Sequence, residues 1–461
     1  MKREALHDIA DRQRAFFRTG ATRDVAYRVQ QLKTLRDAVV RREAAILEAL
    51  KRDLGRPETE AYTSEVAIVL HEIDFAAKHV RAWARPRRVR TPLVLFPATS
   101  RIYAEPYGSA LVMGPWNYPF HLTILPLVAA LAAGNCAVAK PSELAPQTSR
   151  LIAEMIGDAF DPAYVAAVEG GAADAQALLA QRFDYIFFTG GTNVGRVVME
   201  AAAKHLTPVT LELGGKSPCI VDADADIALA ARRIAWGKFL NAGQTCIAPD
   251  FVLAHRSVKP ALRARLAETI ETFFGKDPLA TPDYARIVNA RHFERLTRLL
   301  ERGTIVAGGR ALAAERYIAP TVIEDVSWDD PVMQEEIFGP ILPLLEFDDL
   351  NAAIELLQAR PKPLALYYFS RDRARQEDVL RRLPSGGACI NDTLGQILNL
   401  RLPFGGVGES GMGAYHGRAG FETFTHRKSV VRRANWADPG LRYPPYKTPL
   451  SLLKKLMARI F

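Results

Sequence analysis

Apolar and charged residues alternate at helical spacing along the first 84 residues of the chain. In segments 28–54 and 65–83 the apolar positions recur every three or four residues, with charged residues between them. This period predicts amphipathic helices. Prolines between Pro86 and Pro97 interrupt it, and segment 102–119 then has the pattern of a strand pair that ends in a proline-rich turn.

From residue 120 to residue 206, helix and strand patterns follow one another. The predicted helices are 120–134, 145–160, 172–181 and 191–206, and the predicted strands are 135–141, 164–170 and 185–190. Strands separated by helices indicate βαβ units, which build a parallel, doubly wound sheet. The sequence therefore predicts an α/β fold.

The same alternation resumes after Pro208. The predicted strands are 217–221, 250–254, 304–309, 364–370 and 385–392, the predicted helices are 225–241 and 290–303, and 280–284 is a predicted loop. No internal repeat is visible. A domain transition is expected near Pro208–Gly214, and the composition of segments 85–105 and 425–446 suggests arms that reach a partner subunit.

Length and composition limit the class of protein. A chain of 461 residues exceeds a single simple core, so two or three structural units are expected. The four cysteines are scattered without a CxxC pair, which argues against a disulfide framework or a zinc site and fits a reducing cytosol. No metal-ligand spacing such as HxxxH is present. An apolar run of signal-peptide length is absent from the N-terminus, and no run of about 18 apolar residues predicts a membrane span.

The net charge of +9 permits anionic partners without requiring one. Its densest cluster, Arg81–Arg90, is typical of a solvated loop at a strand or a subunit contact. A nucleic-acid interface would need interleaved aromatic residues and a recognisable binding fold, and the sequence has neither. We expect no nucleic-acid partner.

Glycines mark the exit of a predicted strand at FFTGGTNVGR, residues 187–196. Backbone N–H groups at the start of the following helix would form an anion site, and glycine would let a phosphate approach. The spelling from Gly190 to Gly195 is GGTNVG rather than GxGxxG. Taken alone, the motif fits a tight strand–helix turn equally well.

Three further motifs place polar residues at turns. Glu212 in LELGGK has apolar neighbours, which raise a carboxyl pKa toward that of a general base, although an edge-strand acid facing water fits too. Asn117 lies between prolines in PWNYP, where its amide could donate to an oxyanion or simply form a turn. EEIFGP, residues 335–340, has paired acids before an apolar turn.

Cys246 lies in FLNAGQTCIAPD, and its default interpretation is packing, because free cysteine usually behaves as a small buried hydrophobe. A cysteine hydrolase would need a histidine base with an orienting partner. Of the nine histidines only His416 lies in a glycine-rich turn. The constellation instead indicates a cysteine, a glutamate and a dinucleotide site.

Seven motifs in order, PWNYP, KPSE, FTGGTNVG, LELGGK, GQTC, EEIFGP and LPFGGVGESGMGAYHG, together resemble the NAD(P)-dependent aldehyde dehydrogenase superfamily over about residues 20–445. The short N-terminus, GQTC and the run 402–431 look most like its class 3 branch, which includes fatty and aromatic aldehyde dehydrogenases. The resemblance implies a Rossmann-type cofactor domain (1–84 and 106–210), an α/β catalytic domain (211–420), an oligomerisation arm (85–105 and 425–446) and a tail (447–461).

The resemblance also implies the roles of the site residues. Cys246 attacks the aldehyde, Asn117 and the Cys246 backbone N–H hold the oxyanion, and Glu212 activates the water that hydrolyses the thioester. The implied cofactor contacts are Lys140, Glu143, Gly190, Gly195, Glu336 and Phe338. A carboxylate at Glu143 favours NAD over NADP, although the branch often accepts both.

The substrate, partners and location stay less defined. The resemblance implies oxidation of medium or long aliphatic, or aromatic, aldehydes by a cytoplasmic homodimer. A coenzyme A-acylating enzyme is the alternative within enzymes, and a non-catalytic membrane-surface relative is the alternative outside them. Glu212 argues against the first, and the retained Cys246, Asn117 and Glu212 argue against the second.

The C-terminal tail has two interpretations. Its apolar residues fall near one face of a helix and its basic residues fill most of the rest: Leu452, Leu453, Leu456, Met457 and Ile460 against Lys454, Lys455 and Arg459. Such a helix is typical of peripheral membrane contact. Packing across the substrate entrance or the subunit interface is the interpretation we favour.

Overall fold

The computed structural model describes residues 8–438, 440 and 443–460, except for the side chains of residues 456, 459 and 460. Within these residues the helices are α1 (Ile9–Arg18), α2 (Val25–Arg41), α3 (Glu43–Leu54), α4 (Glu58–Ala61), α5 (Ala67–Trp83), α6 (His121–Ala133), α7 (Pro146–Ala159), α8 (Ala172–Leu179), α9 (Thr192–Ala203), α10 (Ile227–Phe239), α11 (Lys259–Phe274), α12 (Ala290–Arg298), α13 (Pro331–Gln334), α14 (Leu350–Gln358), α15 (Arg373–Arg382), α16 (Gly417–Thr423) and α17 (Leu450–Ile460).

The strands of the same residues are β1 (Arg87–Val89), β2 (Ala98–Pro106), β3 (Ser109–Met113), β4 (Cys136–Lys140), β5 (Val165–Ala167), β6 (Tyr185–Thr189), β7 (Val209–Glu212), β8 (Pro218–Val221), β9 (Phe251–His255), β10 (Thr304–Ala307), β11 (Ala311–Leu312), β12 (Tyr317–Ile318), β13 (Thr321–Glu324), β14 (Ile341–Phe347), β15 (Ala365–Phe369), β16 (Gly387–Ile390), β17 (Gly411–Met412) and β18 (Thr425–Arg433). The α/β prediction is confirmed.

A six-stranded sheet in the order β17-β7-β6-β3-β4-β5 carries the predicted βαβ units. All its neighbours are parallel except β17, which runs antiparallel to β7. Helix α6 covers the sheet and is buried along its whole length, with α5 and α16 packed against it. This burial explains why its sequence, 121–133, is apolar on every face.

A second, seven-stranded sheet has the order β10-β13-β14-β9-β8-β15-β16. Only β10 is antiparallel to its neighbour. The chain passes from the first sheet to the second between β7 and β8. The domain transition near Pro208–Gly214 stays a prediction. Strand β14, residues 341–347, is central to this sheet, yet its sequence was not among the predicted strands.

The arms form a third sheet. β2 pairs antiparallel with β1 on one side and with β18 on the other, in continuous register from Thr425–Pro106 to Arg433–Ala98. Segments 85–105 and 425–446 therefore meet each other. The prediction of a strand pair within 102–119 is wrong in one respect: β2 and β3 are consecutive but belong to different sheets, because the chain turns between them at Gly108, whose φ is 144°.

Two predicted helices differ in detail. Segment 28–54 is divided at Arg42, whose N–H bonds back to Val39 and Val40 while its backbone leaves helical angles. Helix α10 ends at Phe239, before the predicted Asn241, because the next residues form a turn with left-handed backbone angles. Both differences are local changes of backbone angle that apolar spacing does not encode.

The tail is helical, as its periodicity predicted. Leu452, Leu453 and Met457 are exposed on α17, as are Lys454 and Lys455. The side chains of Leu456, Arg459 and Ile460 lie outside the described residues. No helix in the described part of the chain is both long and apolar enough to cross a membrane.

Candidate active site

The carboxyl ends of four parallel strands meet at one edge of the six-stranded sheet. β3 leads into the turn that carries Asn117, β4 ends on Lys140, β6 leads into Gly190, and β7 ends on Glu212. Ligand crevices form at such edges in open α/β sheets. Four separate sequence motifs are therefore brought to one place by strand order alone.

A cavity of about 990 Å³ opens at this edge. Its wall contains almost all of the residues that the motifs singled out: Asn117, Lys140, Glu143, Gly190, Glu212, Cys246, Glu336 and Phe338. Gly195 lies outside the wall. The size and mixed lining are those of a small-molecule site.

Cys246 follows an unusual turn after α10. Asn241 and Ala242 have φ values of 52° and 51°, and Gly243 has a φ of 72°, where an added Cβ would lie 2.2 Å from the carbonyl oxygen of Gly339. The buried Gln244 side chain fixes the turn. Its Nε2 donates to the carbonyls of Asn241 and Arg286 at 3.0 Å each. These bonds bring Cys246 to the cavity wall, where it is half-buried.

The Cys246 thiol is surrounded by groups that act on its charge. Burial raises the pKa of the thiol well above its ordinary value, and the carboxyls of Glu336 and Glu212 raise it further. The backbone N–H groups of Cys246 and Ile247 point at the sulfur and act in the opposite direction. The thiol form is favoured at rest, so attack requires a base to take its proton.

Glu212 is almost fully buried at the end of β7. Neither of its carboxylate oxygens has a hydrogen-bond partner among the described residues. Burial raises the pKa of this carboxyl well above its ordinary value. A buried carboxyl with unused oxygens in a cavity wall can take a proton from water or from a thiol. The predicted raised pKa is borne out, and an edge-strand acid facing water is excluded by the burial.

Asn117 lies in the turn between β3 and α6. Its Nδ2 donates to the Gln244 carbonyl at 3.0 Å, which joins the turn to the Cys246 loop. An amide nitrogen carries two hydrogens, so one remains for a ligand in the cavity. The residue is 3% exposed and its backbone is held from both sides, so the donor is preorganised.

Glu336 and Phe338 come from a turn after α13. Lys216 Nζ fixes this turn by donating to the carbonyl of Glu335 at 2.9 Å, while the Asp250 carboxylate accepts the N–H of Ile337 at 2.9 Å. Burial raises the pKa of Glu336 to about 8, and the carboxylate of Asp250 adds to the rise. The Phe338 ring packs edge-on against Trp116 with centroids 5.3 Å apart.

Lys140 and Glu143 form a polar pair in the cavity wall. The Lys140 Nζ donates to the Glu143 carboxylate at 3.3 Å and to the Pro141 carbonyl at 3.0 Å. The Glu143 side chain is 46% exposed, so it is free to meet a ligand. Lys140 is buried and held in place.

The three glycines of GGTNVG have different structural roles. A Cβ on Gly190 would lie 2.4 Å from the Phe188 ring, and one on Gly195 would lie 2.7 Å from Leu213 Cδ2. Gly190 keeps the turn at the cavity wall, whereas Gly195 allows α9 to pack closely on the sheet. A Cβ on Gly191, at the N-terminus of α9, would meet nothing within 4 Å. Open space there suits a phosphate.

The residues present fit a bound NAD(P). The start of the twelve-residue helix α9 faces the cavity, and Val194 and Val197 of that helix are exposed apolar residues of the wall. These valines provide an apolar face for a base, and the Lys140–Glu143 pair of the same cavity wall provides polar groups for a ribose. Glu336, like Glu212, is close enough to Cys246 to raise the thiol pKa.

Sequence reasoning missed a group of charged residues behind Asn117. Arg56, Glu60 and Glu65 come from RPETEAYTSE and contact the turns of both Asn117 and Cys246. Their only local signal is the i,i+4 spacing of Arg56 and Glu60, which is common on exposed helices. Nothing in the segment indicates burial.

Comparison with known proteins gives the same family over nearly the whole chain. The model of the "Aldehyde dehydrogenase family" matches residues 1–430. The chain belongs to the aldehyde dehydrogenase family. The 4,4'-diaponeurosporen-aldehyde dehydrogenase of Staphylococcus aureus is 49% identical over 443 residues, which cover 96% of each chain. The mouse aldehyde dehydrogenase family 3 member A2 is 47% identical, over 96% of this chain and 91% of its own.

A solved structure confirms the fold. The substrate-bound Staphylococcus aureus AldH has a TM-score of 0.96 and 48% sequence identity, and the match covers 98% of this chain and 99% of that one. The relatives are class 3 enzymes, so this chain is a class 3 aldehyde dehydrogenase. It carries out the NAD(P)-dependent oxidation of aldehydes.

Proposed function

We propose that this aldehyde dehydrogenase uses Cys246 as nucleophile, Asn117 as oxyanion donor and Glu212 as base. The observation that supports the assignment most is that one cavity wall holds a half-buried thiol, a preorganised amide and a carboxyl that accepts no hydrogen bond from the described residues. Each reaction step needs one of these groups. Removing any of them leaves a step without its chemistry.

The first step forms a bond between the Cys246 sulfur and the aldehyde carbon. The thiol proton passes to solvent water in the cavity, and the carbonyl oxygen gains the negative charge. The Asn117 amide and the Cys246 backbone N–H donate to that oxygen. The tetrahedral carbon then carries sulfur, oxyanion, hydrogen and the organic group.

Oxidation follows when the carbonyl re-forms and the hydrogen leaves with its electron pair. Bound NAD(P) supplies the acceptor for that hydride. Glu336 and the Lys140–Glu143 pair would hold the two riboses, and the start of α9 would hold the phosphates. The carbon becomes a thioester of Cys246.

Hydrolysis returns the enzyme to its resting form. Glu212 takes a proton from water, and the water oxygen bonds to the thioester carbon. Asn117 again holds the oxyanion, the carbon–sulfur bond breaks, the Cys246 sulfur takes the proton held by Glu212, and the carboxylic acid leaves. A coenzyme A thiol is far more acidic than water and depends less on a base, so the placement of Glu212 favours water over the acylating alternative.

The substrate class is a medium or long aliphatic, or an aromatic, aldehyde. The cavity wall near α5, α6, α10 and the turn at 394–398 is mostly apolar; besides His121 and Leu394, it includes Ile68, Leu122, Trp236, Leu240, Ile397 and Leu398. Apolar walls of this kind bind a hydrocarbon group by its burial, about 0.8 kcal/mol for each CH₂. The Staphylococcus aureus relative is named for 4,4'-diaponeurosporen-aldehyde as its substrate.

NAD is the preferred cofactor in this proposal. The Glu143 carboxylate, beside Lys140, suits a free 2′-hydroxyl and would repel a 2′-phosphate. One solved relative, an indole-3-acetaldehyde dehydrogenase, is a complex with NAD+. Use of NADP at lower efficiency is consistent with the exposure of Glu143.

The assembly proposed is a homodimer formed through the arm sheet. Near that sheet three large apolar side chains are 61–74% exposed on the single chain: Leu93, Phe96 and Trp436. Phe96 and Trp436 contact each other edge-on, with ring centroids 6.1 Å apart, so they form a patch. A second copy would cover this patch.

Replacement of the nucleophile tests the assignment. Cys246→Ala should abolish aldehyde-dependent NADH formation while NAD binding, measured by calorimetry, stays unchanged. Cys389→Ala is the matched control, because Cys389 is also half-buried but lies outside the cavity wall. Turnover by Cys246→Ala would refute the assignment.

A further inference from the structure

Three charged side chains that take no part in the proposed reaction are buried behind the active site. Arg56, Glu60 and Glu65, called here the Arg56 cluster, lie between α3 and α5. The Arg56 and Glu65 side chains are fully buried, and that of Glu60 is 12% exposed. Burying a guanidinium with two carboxylates costs a large desolvation free energy. Apolar residues of similar volume in their place often stabilise a fold equally well. Fixing one particular conformation is the best-supported use of such a cluster.

Arg56 fixes the peptide that follows Asn117. Its Nη2 donates to the Asn117 carbonyl, and Asn241 Nδ2 donates to the same oxygen at 2.8 Å. A carbonyl oxygen has two lone pairs, so both are used. The peptide plane is held from two sides, and the direction of the Asn117 side chain follows from it. The Arg56 guanidinium also lies over the Tyr118 ring, 4.5 Å from its centroid.

Glu65 connects Arg56 to the start of α6. One carboxylate oxygen accepts from Arg56 Nη1, and the other accepts the N–H groups of Phe120 and His121 at 2.9 and 2.8 Å. These N–H groups belong to the first turn of α6, where a carboxylate is favoured. The turn and the helix after it are therefore held by one side chain.

Glu60 holds the turn that leads to Cys246, residues 241–246, in the same way. Its Oε1 accepts the N–H of Asn241 at 2.9 Å and lies 3.6 Å from Arg56 Nε. Asn241 and Ala242 both have left-handed backbone angles, which L-residues seldom adopt without support. The carboxylate stabilises the start of this turn, four residues before Thr245 and five before Cys246.

We propose that the Arg56 cluster sets the position of the Asn117 amide relative to Cys246, so that both meet the same carbonyl group. Arg56 and Glu60 are positioning residues in this proposal, because neither touches the reacting atoms. The inference rests on the proposed oxyanion role of Asn117. Its physical basis is that an oxyanion donor displaced by a fraction of an ångström loses much of its effect.

A double-mutant cycle tests the inference. The variants are Arg56→Lys, Asn117→Ala and the two combined, with kcat, KM and NAD binding measured for each. Lysine keeps the charge but cannot bridge Glu65 and the Asn117 carbonyl in the geometry of a guanidinium. We expect Arg56→Lys to lower kcat about 10- to 100-fold with KM within about 3-fold, since the loss falls on the transition state.

The combined variant separates positioning from general destabilisation. If Arg56 acts through the Asn117 amide, Arg56→Lys should change kcat by less than about 3-fold in the Asn117→Ala background. The inference would be overturned if the decreases in kcat of the two single variants multiplied in the combined variant, or if the Arg56→Lys enzyme were as active as the wild type. Full activity of Asn117→Ala would instead contradict the oxyanion role itself.

Arg28→Lys is the matched control. Arg28 is also buried and, like Arg56, lies outside the cavity wall, but it donates to the carbonyls of Thr22, Arg23 and Ala132 rather than to that of Asn117. Its variant should lower the melting temperature without lowering kcat. If Arg56→Lys does not fold, Glu60→Gln replaces it in the same cycle, because glutamine can still accept from Asn241 but carries no charge.

Discussion

The hydroxyl oxygens of Tyr118 and Thr245 lie 2.7 Å apart. Tyr118 follows the proposed oxyanion donor Asn117, and Thr245 precedes the proposed nucleophile Cys246. This bond therefore joins the two reactive turns, which are far apart in sequence, next to the groups that must act together. Both hydroxyls are buried, so the bond is protected from water.

Removing this bond should lower the rate without unfolding the protein. Tyr118→Phe keeps the ring that packs on Arg56 and loses only the hydroxyl, so we expect kcat to fall about 3- to 10-fold, the equivalent of one net hydrogen bond. Tyr284→Phe is the control, because its hydroxyl donates to the Ile318 carbonyl outside the cavity wall. Equal kcat values for the two variants would contradict the prediction.

Cofactor preference should depend on Glu143. Glu143→Gln removes the charge that repels a 2′-phosphate and leaves Lys140 without its carboxylate partner. The ratio of kcat/KM with NADP to kcat/KM with NAD should rise about 10-fold. This corresponds to about 1.4 kcal/mol, the size of one pairwise charge interaction. Glu154→Gln, on the exposed side of α7, should leave the ratio unchanged. A constant ratio in Glu143→Gln would place the ribose contact elsewhere.

Stability should depend on pH through the buried Glu72. Burial raises the pKa of this carboxyl to about 7, while the N–H of Gly417, which donates to it, acts in the opposite direction. Between the ordinary value of 4.5 and about 7, the folded chain keeps a proton that the unfolded chain releases. The stabilisation is complete below pH 4.5 and is lost as the pH rises through 7.

Glu72→Gln should remove this dependence. The wild type should lose stability between pH 5 and pH 8 through this group, and the variant should not. The unfolding free energy of the variant minus that of the wild type should therefore rise by on the order of 1–3 kcal/mol from pH 5 to pH 8, measured by urea unfolding at each pH. The exposed Glu377→Gln should show no such gain. A difference between wild type and Glu72→Gln that stays constant with pH would rule out the raised pKa.

The tail should act through protein contacts. We expect removal of residues 447–461 to leave flotation with anionic liposomes unchanged, and to change the sedimentation of the dimer or the KM for long aldehydes. The substitution of Lys454 and Lys455 by glutamate is the charge control, since anionic lipid would attract those lysines. Flotation that requires residues 447–461 would favour the membrane interpretation instead.

Periodicity and turn chemistry were enough to predict the strands that carry the site and the sheet edge at which its residues meet. The βαβ rhythm from 120 to 206 implies a parallel sheet, and a parallel sheet brings the residues after its strands to one edge. Asn117, Lys140, Gly190 and Glu212 meet for this reason. Their functional roles came from the resemblance of seven motifs, because each motif alone fits an ordinary turn.

Long-range pairing could not be predicted in this way. Gly411 pairs with Glu212 through the short strand β17, and a Cβ on Gly411 would lie 2.1 Å from the Leu211 carbonyl. Two residues carry no periodic signal. The Arg56 cluster was missed for a related reason: charges at helical spacing indicate a solvated face, and only the fold shows that Arg56 is covered.

The central claim is that a thioester forms on Cys246 and that Glu212 is needed to hydrolyse it. Mass spectrometry of Glu212→Gln after mixing with NAD and a medium-chain aldehyde tests it most directly. We predict one acyl group per chain, on the peptide that contains Cys246, with a single equivalent of NADH formed. Continued turnover without an adduct, or an acyl group on Cys389, would contradict the account.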